Sequence, residues 1–87
     1  MGVYGLLTKL FPENTLVEGP IPLYYQLQEK IKDIIDTGIL QEGDRLPSER
    51  EMAHYFQINR RTVSNAVDHL VAEGLLLKKR GMGIFVA

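Results

Sequence analysis

The sequence predicts a mainly α fold with a small β-hairpin: a three-helix core, a two-stranded wing and a possible extra N-terminal helix. Three observations point there. Apolar residues recur at helical spacing in stretches that end in glycine or proline. The segment "SEREMAHYFQINRRTV" places two helices either side of a turn only three residues long. After Gly74 the pattern changes to short β-prone runs around a glycine-bearing tip. Helix, helix, tight turn, helix and hairpin, in that order, make a winged helix-turn-helix.

The first element is "MGVYGLLTKLF", where Val3, Leu6, Leu7, Leu10 and Phe11 share one helical face. Pro12 and Asn14 break the pattern, and "ENTLVEGP" reads as a linker. A helix this short is marginal alone, so it is expected to dock on its own domain or on a second subunit. Membrane anchoring is the weaker option, because the polar face offers one lysine, Lys9, rather than a basic band. The expected division is an extension over residues 1–20 and a winged helix-turn-helix unit over residues 21–87.

The second helix opens at Pro22, where a missing N–H costs nothing. It buries Tyr24, Leu27, Ile31, Ile34 and Ile35, and Gly38 closes it. Glu42-Gly43-Asp44 forms a turn, and Leu46 lies in a short extended piece before Pro47. "SERE" is a capping box, with Ser48 and Glu51 each satisfying a backbone N–H near the other. The helix it starts runs to about Phe56 and buries Met52, Ala53 and Phe56. Gln57-Ile58-Asn59 makes the turn, and Asn59 caps the next helix. That helix turns Val63, Ala66, Val67, Leu70 and Val71 inward and stops at Gly74. "LLLKK" and "IFVA" then flank Arg80-Gly81-Met82-Gly83 as a hairpin.

Eighty-seven residues fit one small domain. The absence of cysteine excludes disulfides and cysteine-ligated zinc, and a reducing cytoplasm is the expected setting. No apolar run reaches the ~20 residues of a membrane span, and the N-terminus has no secretory-signal pattern. The formal net charge of −1 conceals an asymmetry. Residues 1–44 carry three lysines against seven carboxylates; residues 45–87 carry seven lysines and arginines against four carboxylates. A basic C-terminal half suits a polyanionic partner, although chance clustering on a solvated surface produces the same count.

On the helix after Asn59, Arg61, Ser64, Asn65 and Asp68 occupy the arc opposite the apolar stripe, with Arg60 and Thr62 flanking it in the first turn. Two arginines at a helix N-terminus oppose the helix dipole, by tenths of a kcal/mol when exposed. An external anion would reverse that penalty. Guanidinium groups there can pair with guanine edges in a major groove or clamp phosphate. Asp68, two turns in, is expected to pair with Ser64 or remain in water. His54 and His69 have neither metal-ligand spacing nor an ordering carboxylate and read as ordinary surface or boundary residues. Ser64, Asp68 and His69 point in different directions on one helix and do not make a hydrolytic triad. No catalytic residue, metal set or cofactor is expected.

Residues 21–87 resemble the winged-helix DNA-binding domain of the GntR family of bacterial transcriptional regulators. "LPSERE", "RRTV", "EGLL" and the final "G.G.FV" carry that likeness, and "PLYYQL" with "GDRLPSERE" is most similar to the HutC-type branch. The resemblance implies that Arg50 reaches phosphate and that Arg60 is the principal base-reading or phosphate-clamping residue. Arg61 and Thr62 add contacts, with Ser64 and Asn65 on the same exposed face. Gly81 and Gly83 let the wing backbone approach the minor groove, which a Cβ would obstruct. Three positions depart from the family pattern: Ser64 replaces a frequent arginine, Gln57 a usual glycine, and Met82 a basic residue between the wing glycines. Arg80, Lys79 or Lys78 could restore the missing wing charge, and Arg80 is preferred over a Met82 wedge.

The resemblance further implies a repressor that binds a palindromic operator as a homodimer. A small-molecule effector would bind a C-terminal domain that this chain lacks. Either the chain is a fragment, or dimerisation falls to other surfaces such as residues 3–11. The competing function is a winged-helix protein-interaction module without specific DNA binding.

Overall fold

The computed structural model describes residues 3–87, and the side chain of Val3 lies outside the described residues. Four helices and two strands follow one another: α1 (Val3–Leu10), α2 (Leu23–Asp36), α3 (Glu49–Phe56), α4 (Arg60–Ala72), β1 (Leu76–Lys79) and β2 (Gly83–Val86). The three-helix core and two-stranded wing expected from the sequence are therefore present. Leu27, Ile31, Met52, Val63, Val67, Leu70 and Leu76 are fully buried where α2, α3, α4 and β1 meet. Apart from Leu76, which lies on β1, these are residues that the 3.6-residue period assigns to inward faces. Tyr24, Ile35 and Val71 are half-buried at the margin of that core.

The boundaries of α2, α3 and α4 have local chemical reasons. The Ser48 hydroxyl accepts from the Glu51 N–H, and the Glu51 carboxylate accepts from the Ser48 N–H at 2.8 Å, completing the capping box. Asn59 accepts the Arg61 N–H at 2.8 Å and starts α4. Gly38 and Gly74, both at φ +81°, take the left-handed conformation after α2 and α4. Between α3 and α4, Gln57 takes the same conformation (φ 57°, ψ 47°) without being glycine. Its side-chain amide donates to the His54 carbonyl at 3.0 Å, so part of the local strain is offset by satisfying a helix C-terminal acceptor.

Of the two destinations open to α1, the structure shows docking on its own chain. Leu7, Leu10 and Phe11 join the main core, and Phe11 packs edge-to-face on Phe56 with ring centroids 5.2 Å apart. Tyr55, which the sequence reading leaves out of the core, is buried and donates its hydroxyl to the Phe11 carbonyl. Its ring also meets Tyr4 edge-on. The segment read as a linker has no regular structure, yet Gln26 of α2 ties it down. The Gln26 amide donates to the Val17 and Ile21 carbonyls and accepts the Val17 N–H.

β1 and β2 pair antiparallel in the register Leu76↔Val86 to Lys79↔Gly83. The extended piece around Leu46 adds to the outer edge of β2. An Arg45↔Phe85 bridge and bonds from Leu46 N to Ile84 O and from Val86 N to Asp44 O hold it there. The wing is thereby fixed to the segment that leads into α3. Among the described residues, no helix is long and apolar enough to cross a membrane.

Candidate nucleic-acid interface

The chain folds so that the N-terminus of α4, the start of α3 and the wing border one open cleft of about 500 Å³. Arg60 comes to it from α4, Arg80 and the two wing glycines from the hairpin, and Arg45 from the segment before α3. Asn65 and Arg61 lie exposed on α4 outside the cleft, Thr62 and Ser64 are half-buried, and Arg50 is exposed on the first turn of α3. The predicted residues thus fall into a cleft group and a helix-face group that diverge from the α4 N-terminus.

Five arginines are exposed: Arg45, Arg50, Arg60, Arg61 and Arg80. Among the described residues, none has a carboxylate within 4.0 Å, because Lys32 and Lys78 make every ion pair. The first turn of α4 also contains no acidic residue that could offset Arg60 and Arg61 against the helix dipole. This is uncompensated positive charge held on a rigid frame, which is the electrostatic complement of a polyanion.

The lysines behave differently. Lys78 Nζ bridges Glu49 at 2.9 Å and Asp68 at 3.0 Å, joining β1 to the starts of α3 and the middle of α4. The Ser64 hydroxyl donates to the second Glu49 oxygen at 2.6 Å. Burial pushes the Glu49 carboxyl up, but the hydrogen bonds from Ser64 and Lys78 and the Lys78 charge outweigh it, so it falls below its ordinary 4.5. Hydrogen bonds to Glu49 and Asp68 raise Lys78 above its ordinary 10.5 against a partial burial penalty, and their charges add to the rise. Two expectations are corrected here. Asp68 pairs with Lys78 rather than Ser64, since Ser64 is turned toward Glu49. Lys78 is consumed internally and is not a free source of wing charge. Lys79 rests over the Phe85 ring at 5.0 Å from its centroid, which leaves Arg80 as the uncommitted cation at the tip.

The wing glycines answer to internal requirements. Gly81 stands at φ +76° in the turn closed by Met82 N to Lys79 O, with open space where a Cβ would be. Gly83 stands at φ +129°, and a Cβ there would meet Arg45 Nε at 2.8 Å. Met82 is exposed at the tip. Sequence reasoning missed Glu49, because its partners lie 15 and 29 positions along the chain. Arg45 was missed too, although its alternation with inward Leu46 in an extended segment marks it as outward-facing.

A helix-turn-helix with a wing and an uncompensated arginine cluster defines a class of nucleic-acid-binding domain. The profile described as "Bacterial regulatory proteins, gntR family" matches residues 23–86. The chain belongs to that family. It is 50% identical over 74 residues to the HTH-type transcriptional repressor NagR of Bacillus subtilis (strain 168), covering 85% of this chain and 30% of that protein. It is 40% identical over 70 residues to the histidine utilization repressor of Pseudomonas putida, covering 80% of this chain and 28% of that protein. The chain therefore spans under a third of the length of these curated relatives. Among solved structures it is similar to the AraR DNA-binding domain in complex with operator ORX1, at a TM-score of 0.80 and 35% identity. That match covers 84% of this chain and 94% of the AraR chain.

Proposed function

We propose that this chain is the sequence-specific DNA-binding domain of a GntR-type transcriptional regulator that represses by occupying a palindromic operator. The observation that carries the reading is a set of five exposed arginines without carboxylate partners among the described residues, three of which, Arg45, Arg60 and Arg80, line the cleft between the α4 N-terminus and the wing. Similarity to an AraR domain solved on its operator supports it. In this reading α4 enters the major groove, where Arg60 reads a guanine edge and Arg61, Thr62, Ser64 and Asn65 line the contact face. Arg50 clamps a phosphate. Arg80 reaches the adjacent minor groove from the tip, and the turn of Gly81 and Gly83 brings the wing backbone close. The domain works as a homodimer in the cytoplasm, each copy on one half-site. An effector domain C-terminal to the wing in the full-length regulator controls it. The chain has no enzymatic role.

Selection of bound duplexes from a random pool tests this. The reading expects a palindromic consensus, and affinity for it that falls with salt by a log–log slope of about −0.9 for each phosphate neutralised. Weak binding with no enriched sequence would instead favour a protein-interaction module.

A further inference from the structure

Arg45 leaves the Glu42-Gly43-Asp44 turn in extended backbone, and its neighbour Leu46 is buried. Alternation therefore sends the Arg45 side chain outward, over the wing. The bridge to Phe85 and the Leu46 N to Ile84 O bond fix its backbone against β2. Its guanidinium then lies across Gly83: a Cβ at that position would be 2.8 Å from Nε, 3.3 Å from Nη2 and 3.4 Å from Cζ. Glycine at 83 creates the space in which this long side chain is seated. The seat opens into the cleft shared with Arg60 and Arg80.

Holding a guanidinium beside other arginines is unfavourable without a counter-charge. The one carboxylate lining the cleft, Glu49, is already engaged by Ser64 and Lys78. Arg45 has no carboxylate within 4.0 Å among the described residues. The charge is thus placed beside the wing and, among the described residues, unanswered by a carboxylate. An arginine laid down in advance loses less side-chain freedom on binding than a free one.

We propose that Arg45 is a further DNA-contact residue, a phosphate clamp that grips the duplex backbone beside the wing and has Gly83 as its seat. The inference rests on the DNA-binding reading. A phosphate is the target rather than a base because Arg45 approaches from the wing edge, while α4 presents its own residues to the major groove. Contacts of this kind set register and affinity without reading sequence.

The test measures duplex binding by fluorescence anisotropy over a salt series, for the parent chain and for Arg45→Ala and Arg45→Lys. Each protein binds both the duplex selected from the random pool and a scrambled duplex. Arg45→Ala should melt like the parent, bind both duplexes about fivefold more weakly, and lose about one unit of salt slope. Arg45→Lys should keep most of that slope. Gly83→Ala should cost more affinity in the parent than in Arg45→Ala, because the backbone strain at φ +129° and the obstructed wing approach are common to both backgrounds and the arginine seat is not. A folded Arg45→Ala with unchanged affinity and slope overturns the inference, as does a loss confined to the selected duplex. Where the parent shows no preference between duplexes, the DNA-binding reading itself falls, and the clamp with it.

Discussion

Arg60 and Arg61 stand at a helix N-terminus whose dipole disfavours them, and no carboxylate among the described residues pairs with either. Placement of this kind makes sense for side chains whose partner arrives from outside. Arg60→Ala is expected to cost roughly 1–3 kcal/mol on the selected operator and to relax the requirement at one base position. Competition binding against single-base operator variants measures both effects; an equal loss on every sequence would make Arg60 a phosphate clamp. Gln57 illustrates a different residue-scale constraint. Its left-handed backbone costs about 1 kcal/mol relative to glycine, while glycine loosens the unfolded chain and forgoes the bond to His54. Gln57→Gly should therefore stabilise by only about 0.5 kcal/mol in urea unfolding and leave DNA affinity unchanged. The sequence marks this turn through its length and through the resemblance. The compensating amide bond is a matter of side-chain rotamer, which sequence patterns do not encode.

At the scale of elements, the wing is held to the helices by Lys78, which bridges Glu49 on α3 and Asp68 on α4. Glu49 titrates below its ordinary value in the folded chain, so its contribution to stability is present above about pH 4.5 and is lost as pH falls through the folded value. Lys78 titrates above its ordinary value, so its contribution is present below about pH 10.5 and disappears as pH rises through the folded value. Stability is expected to hold between these limits and to decline on both sides. Lys78→Met should flatten the alkaline decline, reduce the acid one, and speed amide exchange in β1 and β2. An unaltered pH profile would show that the bridge does not hold the wing. The helices and hairpin were legible because apolar spacing and glycine stops are local signals. The bridge was not, since residues 49, 64, 68 and 78 meet only through the tertiary packing of three elements. The expectation that Asp68 pairs with Ser64 followed helix spacing, but Ser64 is drawn to a neighbouring helix instead.

Across the whole molecule, α1 and the core behave as one packed body: Leu7, Leu10 and Phe11 are buried with the residues of α2, α3 and α4. The amphipathic face of α1 was legible at Leu7, Leu10 and Phe11, although Leu6, expected on the same face, is exposed at its edge; the surface that face covers was not legible, because periodicity names a face without naming its partner. Phe11→Ala should destabilise the chain by about 3–5 kcal/mol, the range for deleting a buried aromatic ring. That is a large share of the ~5–15 kcal/mol typical of a small domain. A change of less than about 0.5 kcal/mol in urea unfolding, the scatter of surface substitutions, would make α1 an appendage. Such rigidity matters for function because the arginines of α4, the pre-α3 segment and the wing must keep their spacing to meet one duplex. Backbone amide NMR shifts on adding the selected duplex test that claim most directly. The largest changes are expected at residues 59–65, 45–50 and 80–83, with α1 and the outer face of α2 little affected. Changes concentrated on α1 or α2, with the α4 N-terminus and the wing undisturbed, would contradict it.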